Sequence, residues 1–104
     1  GADLNALDRY GQTALMNAAM HGKVEVVRIL LEHGAELNHS AKYKLTALML
    51  AVINQHSEIV QLLVHAGADT TLGGSYGQFA CTPIEYADRG AMHKICNILR
   101  SHTQ

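Results

Sequence analysis

The chain repeats itself every 33 residues, and that period limits its fold more than any other property. Thr13 to Asn38 reads TALMNAAMHGKVEVVRILLEHGAELN, and 33 positions on, Thr46 to Thr71 reads TALMLAVINQHSEIVQLLVHAGADTT. A looser copy, TPIEYADRGAMHKICNIL, runs from Thr82 to Leu99. A sequence recurring in register at this spacing describes a unit that cannot bury its apolar face alone and covers it by stacking on the next.

Each unit carries its own start and stop signals. Asp8-Arg9-Tyr10-Gly11 is a turn, with Gly11 free to take a positive φ. Thr13 caps a short helix over 14–21, its hydroxyl accepting an unpaired N–H of the first turn. Leu15, Ala18 and Ala19 are its packing positions, and Gly22 permits the reversal. A second helix runs from Val24 to Glu32, with Val26, Val27, Leu30 and Leu31 as one apolar stripe. Gly34 ends it in the left-handed position that glycine fills without strain. The second unit repeats this with Leu48, Ala51, Ile59, Val60, Leu63, Val64 and Gly67. Lys44 replaces the turn glycine and Gln55 the inter-helix glycine, which is expected to loosen both places, with Ser57 offsetting this as cap of the second helix. The third unit inserts Phe79-Ala80-Cys81 before Thr82 and sets Pro83 at the first helical position, where its missing N–H costs little. Asp88 and Arg100 stand where the first unit has Ala19 and Leu31, the polar outer face that a terminal unit requires.

The period, the TALM, TALM and TPIE starts, the paired aliphatics and the GAELN and GADTT endings resemble the ankyrin repeat family over residues 1–100. The resemblance implies an all-α fold, an ankyrin-repeat solenoid of stacked helix-turn-helix units with projecting β-turn or hairpin loops. The chain is then one domain, 1–104, with residues 1–7 as the tail of a preceding repeat. Repeat 1 covers 8–40, repeat 2 covers 41–73, and repeat 3 covers 74–104 with the insertion at 79–81 and a C-terminal cap. On this reading the chain is the C-terminal part of a longer array, and repeat 1 exposes apolar surface on its N-terminal side, through which a dimer could form. The family's TPLH lacks its histidine in all three copies, so a hydrogen-bonding link between neighbouring loops is missing and some inter-repeat rigidity is expected to be lost. The resemblance also implies no catalysis and no cofactor. It implies a protein or peptide held by loop tips and first helices, which together form a concave groove.

Mapped onto those positions, Tyr10, Tyr43 and Tyr76 recur 33 residues apart at the loop tips. Tyrosine offers a large contact area with few rotatable bonds, so a row of them suits binding; equally, each ring can brace the neighbouring tip. Arg9, Lys42 and Lys44 face Asp8 alone, which suits an acidic or phosphorylated partner segment, or is simply a solvated edge. The groove floor is expected from Gln12, Met16, Met20 and His21, then Leu45, Met49, Ile53 and Asn54, then Gln78, Glu85 and Arg89. Met20, Leu45 and Ile53 would leave apolar groups exposed there, which marks an interaction surface, unless the next repeat covers them. Phe79 in the insertion either projects into the groove or tucks beneath it.

The remaining features exclude more than they assign. A net charge of −1 points to neither nucleic acid nor a membrane surface, and no apolar run approaches the roughly 20 residues needed to span a bilayer. Seven histidines, His21, His33, His39, His56, His65, His93 and His102, lack metal-ligand spacing. Cys81 and Cys96 form no CxxC pair; Cys96, on an apolar helix position, reads as a buried free thiol, against the alternative of a Cys81–Cys96 disulfide that the scaffold does not need, and a reduced, intracellular setting, cytoplasmic or nuclear, is expected. Pairing either cysteine with His93 gives no third, orienting group, so no catalytic residue is assigned. Against the binding module stands a second reading: a spacer or self-association element within a larger scaffold or adaptor protein.

Overall fold

A computed structural model of the chain describes residues 5–101; residues 1–4 and 102–104, which hold most of the expected tail and His102, lie outside the described residues, as does the side chain of Lys42. The described residues form three helix pairs and no strand. Helix α1 (Ala14–His21) pairs with α2 (Val24–Glu32), α3 (Ala47–Ile53) with α4 (Ser57–His65), and α5 (Pro83–Arg89) with α6 (His93–Ser101). First helices pack on one another in the order α1, α3, α5, and second helices in the order α2, α4, α6. The result is a stack 41 × 26 × 23 Å.

Each first helix starts under a threonine cap. Thr13 Oγ1 accepts from the Met16 N–H at 3.2 Å, Thr46 from Met49 at 3.3 Å, and Thr82 from Glu85 at 3.3 Å. At Thr82 the bond is reciprocated, because Glu85 Oε1 accepts the Thr82 N–H at 2.8 Å and closes a capping box. The T-x-x-E spacing that signals it stands in the sequence.

Each first helix also ends the same way. Lys23, His56 and Met92 donate their N–H groups back to Ala18, Ala51 and Ala87, the six-to-one bond of a Schellman turn, which requires a left-handed residue just before it. Gly22 takes that conformation at φ 72°, Gln55 at 59° and Ala91 at 54°. Lys44 likewise takes φ 59° where repeat 1 has Gly11 at 75°. The expected loosening is therefore corrected: Gln55 and Lys44 keep the glycine geometry and carry strain instead. Ser57 does not cap α4 either; it lies inside the helix, whose cap position, His56, makes no side-chain cap bond.

The core is aliphatic and continuous through all three pairs, from Leu15, Ala19 and Val27 through Leu48, Ile59 and Leu63 to Ala87, Ile95 and Leu99. Cys96 is buried in it, and both Cys96 and Cys81 are free thiols. The expected apolar stripe of α2 is only half covered. Val27 and Leu30 are buried, Leu31 is half-buried, and Val26 is 45% exposed, whereas its counterpart Ile59 is fully buried. Ala14 is exposed where Ala47 is buried. The difference has one cause: repeat 1 covers these positions of repeat 2, and nothing described here covers them in repeat 1.

Links between repeats replace the absent family histidine. His39 Nε2 lies 3.1 Å from the Gly11 carbonyl and His56 Nε2 lies 3.2 Å from the Met20 carbonyl. Asn5 Oδ1 accepts the Glu36 N–H at 2.8 Å, and Asn38 Oδ1 accepts the Asp69 N–H at 2.9 Å. The expectation of a missing link is met by these four contacts between neighbouring repeats. His56 also explains why Gly22 is glycine: a Cβ there would sit 2.9 Å from the imidazole ring. Met92 occupies the equivalent place beyond Gln55, so that site tolerates a side chain.

The insertion folds inward on the third loop. Gly77–Phe79 forms a short 3-10 turn, and Phe79 stacks on Tyr86 with ring centroids 5.8 Å apart. The chain passes so close that a Cβ at Gly73 would lie 1.8 Å from the Cys81 carbonyl oxygen. Outside, Arg100 and Asp88 pair at 3.5 Å on the exposed face of repeat 3.

Candidate binding groove

The loop tips are tight hairpin-like turns closed by paired backbone bonds: Asp8 N–H to Gln12 O at 2.9 Å and Ala41 N–H to Leu45 O at 2.9 Å. Asp8 stiffens the first tip further. Its carboxylate accepts from the backbone of Tyr10 and Gln12 and from Asn17 Nδ2 at 2.8, 3.0 and 3.1 Å. The Gln12 backbone bond, followed by the Asn17 side-chain bond, holds the Asp8 carboxyl below the usual carboxylate range. Asp8 is thus a brace of its own loop and leaves Arg9 beside it without an ion pair among the described residues.

Between the first two tips and their helices lies a recess of about 560 Å³, lined by Arg9, Tyr10, Gln12, Met20, Tyr43, Leu45 and Leu50. Five residues expected to bind, Arg9, Tyr10, Met20, Tyr43 and Leu45, converge there, with Gln12 from the expected floor. Leu50 was not among the expected residues. It stands where repeat 1 has Asn17, and that exchange of a polar residue for leucine is the signal that identifies it.

The other expected residues go elsewhere. Met16 and Met49 are core, 1% and 0% exposed, and form no floor. His21 is one residue past Met20, a rotation of about 100° on the helix, and it lines a separate recess on the outer side of α1 with Ala14, Asn17, Lys23 and Val26. Its Nδ1 lies 2.9 Å from the Asn17 carbonyl. Ile53 is half-buried on α3 and does not line the recess. Arg89 sits in repeat 3 in a smaller hollow with Gln78, Tyr86 and Met92, its guanidinium donating to the Gln78 carbonyl at 3.4 Å. Glu85 is engaged in the capping box. Lys42's side chain lies outside the described residues, so its expected place in the groove is neither met nor refused.

The three tyrosines separate into two kinds. Tyr43 and Tyr76 stack, while Tyr10, 69% exposed, makes no ring contact among the described residues. Tyr43 also sits at φ 62°, a left-handed conformation rare for an aromatic residue. Its carbonyl accepts the Ser75 N–H at 2.8 Å, joining the second tip to the third.

Among the described residues, no helix is long and apolar enough to cross a membrane, and no three His, Cys, Asp or Glu side chains come together. A family model described as ankyrin repeats in three copies matches residues 1–73. The match stops where the repeat with the insertion begins. Among solved structures, the chain is similar to an ankyrin repeat domain from Acinetobacter baumannii, with 37% identity and a TM-score of 0.90. That similarity covers 98% of this chain, repeat 3 included, and 53% of the other, so the chain spans about half the length of that relative. No curated protein matches.

Proposed function

Because the chain belongs to the ankyrin repeat family, whose repeats generally act as protein–protein interaction modules, we propose that it is a non-catalytic module holding a protein or peptide segment in the groove between its loop tips and first helices. The observation that carries this reading is the convergence of Arg9, Tyr10, Met20, Tyr43 and Leu45 on one recess. Apolar groups at the base with aromatic and polar groups around them are the makeup of a protein-binding pocket. The free, buried thiols of Cys81 and Cys96 fit a reducing compartment, cytoplasm or nucleus.

The test is affinity capture with the wild-type domain and with a Tyr10→Ala/Leu45→Ser variant, after circular dichroism confirms that both are helical. Proteins retained by the wild type and lost by the variant support the groove. An unchanged set of retained proteins overturns it.

A second reading has its own observation. Leu7, Val26 and Ile29 are 53%, 45% and 53% exposed, and Val26 and Ala14 expose apolar surface at positions covered in repeat 2. Self-association through this face would make the chain an assembly element. Sedimentation equilibrium decides: a mass that doubles with concentration and reverts in Val26→Glu supports it.

A further inference from the structure

The chemistry of the recess narrows the ligand, and this inference rests on the groove reading above. Among the described residues that line it, Arg9 is the charged one. The base is apolar, from Met20, Leu45 and Leu50, and the remaining groups, Gln12 and the two phenols, are hydrogen-bonding. Among the described residues no carboxylate forms an ion pair with the guanidinium. Asp8, its neighbour in sequence, already accepts three hydrogen bonds within its own tip. Lys44, exposed on the second tip, likewise has no ion pair among the described residues.

We infer that the recess takes an acidic peptide segment of another protein, one that sets a bulky apolar side chain against Met20, Leu45 and Leu50 and an adjacent Asp or Glu carboxylate on Arg9. Volume agrees: about 560 Å³ lies within the range of roughly 300–1,000 Å³ for ligand pockets. So does charge complementarity. A guanidinium fork matches a carboxylate in two parallel bonds, and such a bond gains strength where flanking rings exclude water. Tyr43, fixed by its stack on Tyr76, is a preformed wall, and Tyr10 supplies the exposed opposite flank.

The experiment is selection of a phage-displayed random dodecapeptide library on the wild-type domain. Affinities of the enriched peptides are then measured by fluorescence polarisation for wild type, Arg9→Ala and Leu45→Ser. The expected result is a consensus placing Asp or Glu within two residues of a bulky apolar residue. Arg9→Ala and raised salt should each weaken binding by about tenfold, and Leu45→Ser by a similar factor. Peptides that depend on Leu45 but are neutral or basic, or that ignore Arg9→Ala, overturn the acidic assignment and leave the groove standing. Peptides indifferent to both variants, or no enrichment at all, sink the groove reading with it. Tighter binding when phosphoserine replaces the acidic residue overturns the choice of carboxylate.

Discussion

The ring of Tyr43 stacks on that of Tyr76, centroids 5.0 Å apart and planes inclined by 25°. The contact joins the second and third loop tips at the point where the backbone is least relaxed, since Tyr43 and Lys44 take φ 62° and 59° in succession. Two successive left-handed residues that are not glycine cost about 1–2 kcal/mol each. The stack and the Ser75–Tyr43 backbone bond are the visible compensation.

Stability should therefore separate the tyrosines. Tyr43→Ala is expected to lower unfolding free energy by about 1 kcal/mol, the worth of an aromatic pair, and Tyr10→Ala to change it by less than about 0.5 kcal/mol. Urea denaturation measures both. A double-mutant cycle with Tyr76→Ala should show coupling of about 0.5–1.5 kcal/mol; no coupling would mean that the rings only touch.

At the helix reversals, Gln55→Gly should raise stability by about 0.5–1 kcal/mol, because relief of left-handed strain exceeds the extra chain entropy of glycine. Gly22→Ala should lower it by more than about 1 kcal/mol, combining that strain with a Cβ placed 2.9 Å from the His56 ring. Thermal melts of the two variants should move in opposite directions.

The route of the insertion makes Gly73 the least replaceable glycine. Its Cβ would meet the Cys81 carbonyl oxygen at 1.8 Å, and backbone cannot step aside as a side chain can. Gly73→Ala is expected to cost about 1–3 kcal/mol through overpacking, while Gly34→Ala is affected by φ 80° alone, with nothing within 4 Å. A smaller loss for Gly73→Ala than for Gly34→Ala would contradict the packed insertion.

Acid should weaken the fold in a defined window. Glu85, Asp69 and Asp8 are each held below their ordinary values of 4.5, 3.8 and 3.8. The first cause is the Thr82 backbone bond for Glu85, the Thr71 hydroxyl for Asp69 and the Gln12 backbone bond for Asp8. A lowered folded-state pKa gives stability that is present above the ordinary value and lost as pH falls through the depressed one. Melting temperature should thus hold above about pH 5 and decline below about 4.5. Glu85→Gln keeps an N3 residue able to cap, so its decline should be shallower with little change at neutral pH.

Helix limits were legible because each is written in local chemistry. Thr13, Thr46 and Thr82 mark the starts, and 14–21 and 24–32 were read from them and from the following glycines. The tip residues of the recess were legible too, since a period of 33 places Arg9, Tyr10 and Tyr43 in one row. The floor was not. Helix α3 has six of its seven residues buried, so the usual alternation of covered and open faces is erased, and Met49 looks no different from a groove residue. His39, His56, Asn5 and Asn38 were missed for another reason. Their partners lie 28 to 36 residues away, and nothing in the neighbouring sequence announces such bonds. Nor does composition register that Tyr43 is strained.

The amides of Asn5 and Asn38 each reach the backbone 31 residues ahead, and so fasten only adjacent repeats. Fasteners arranged this way carry a load in series rather than in parallel. Pulled lengthwise, such an array yields one joint at a time. Each parted joint lengthens the chain by about one repeat, leaving its neighbours folded to resist the next increment of force.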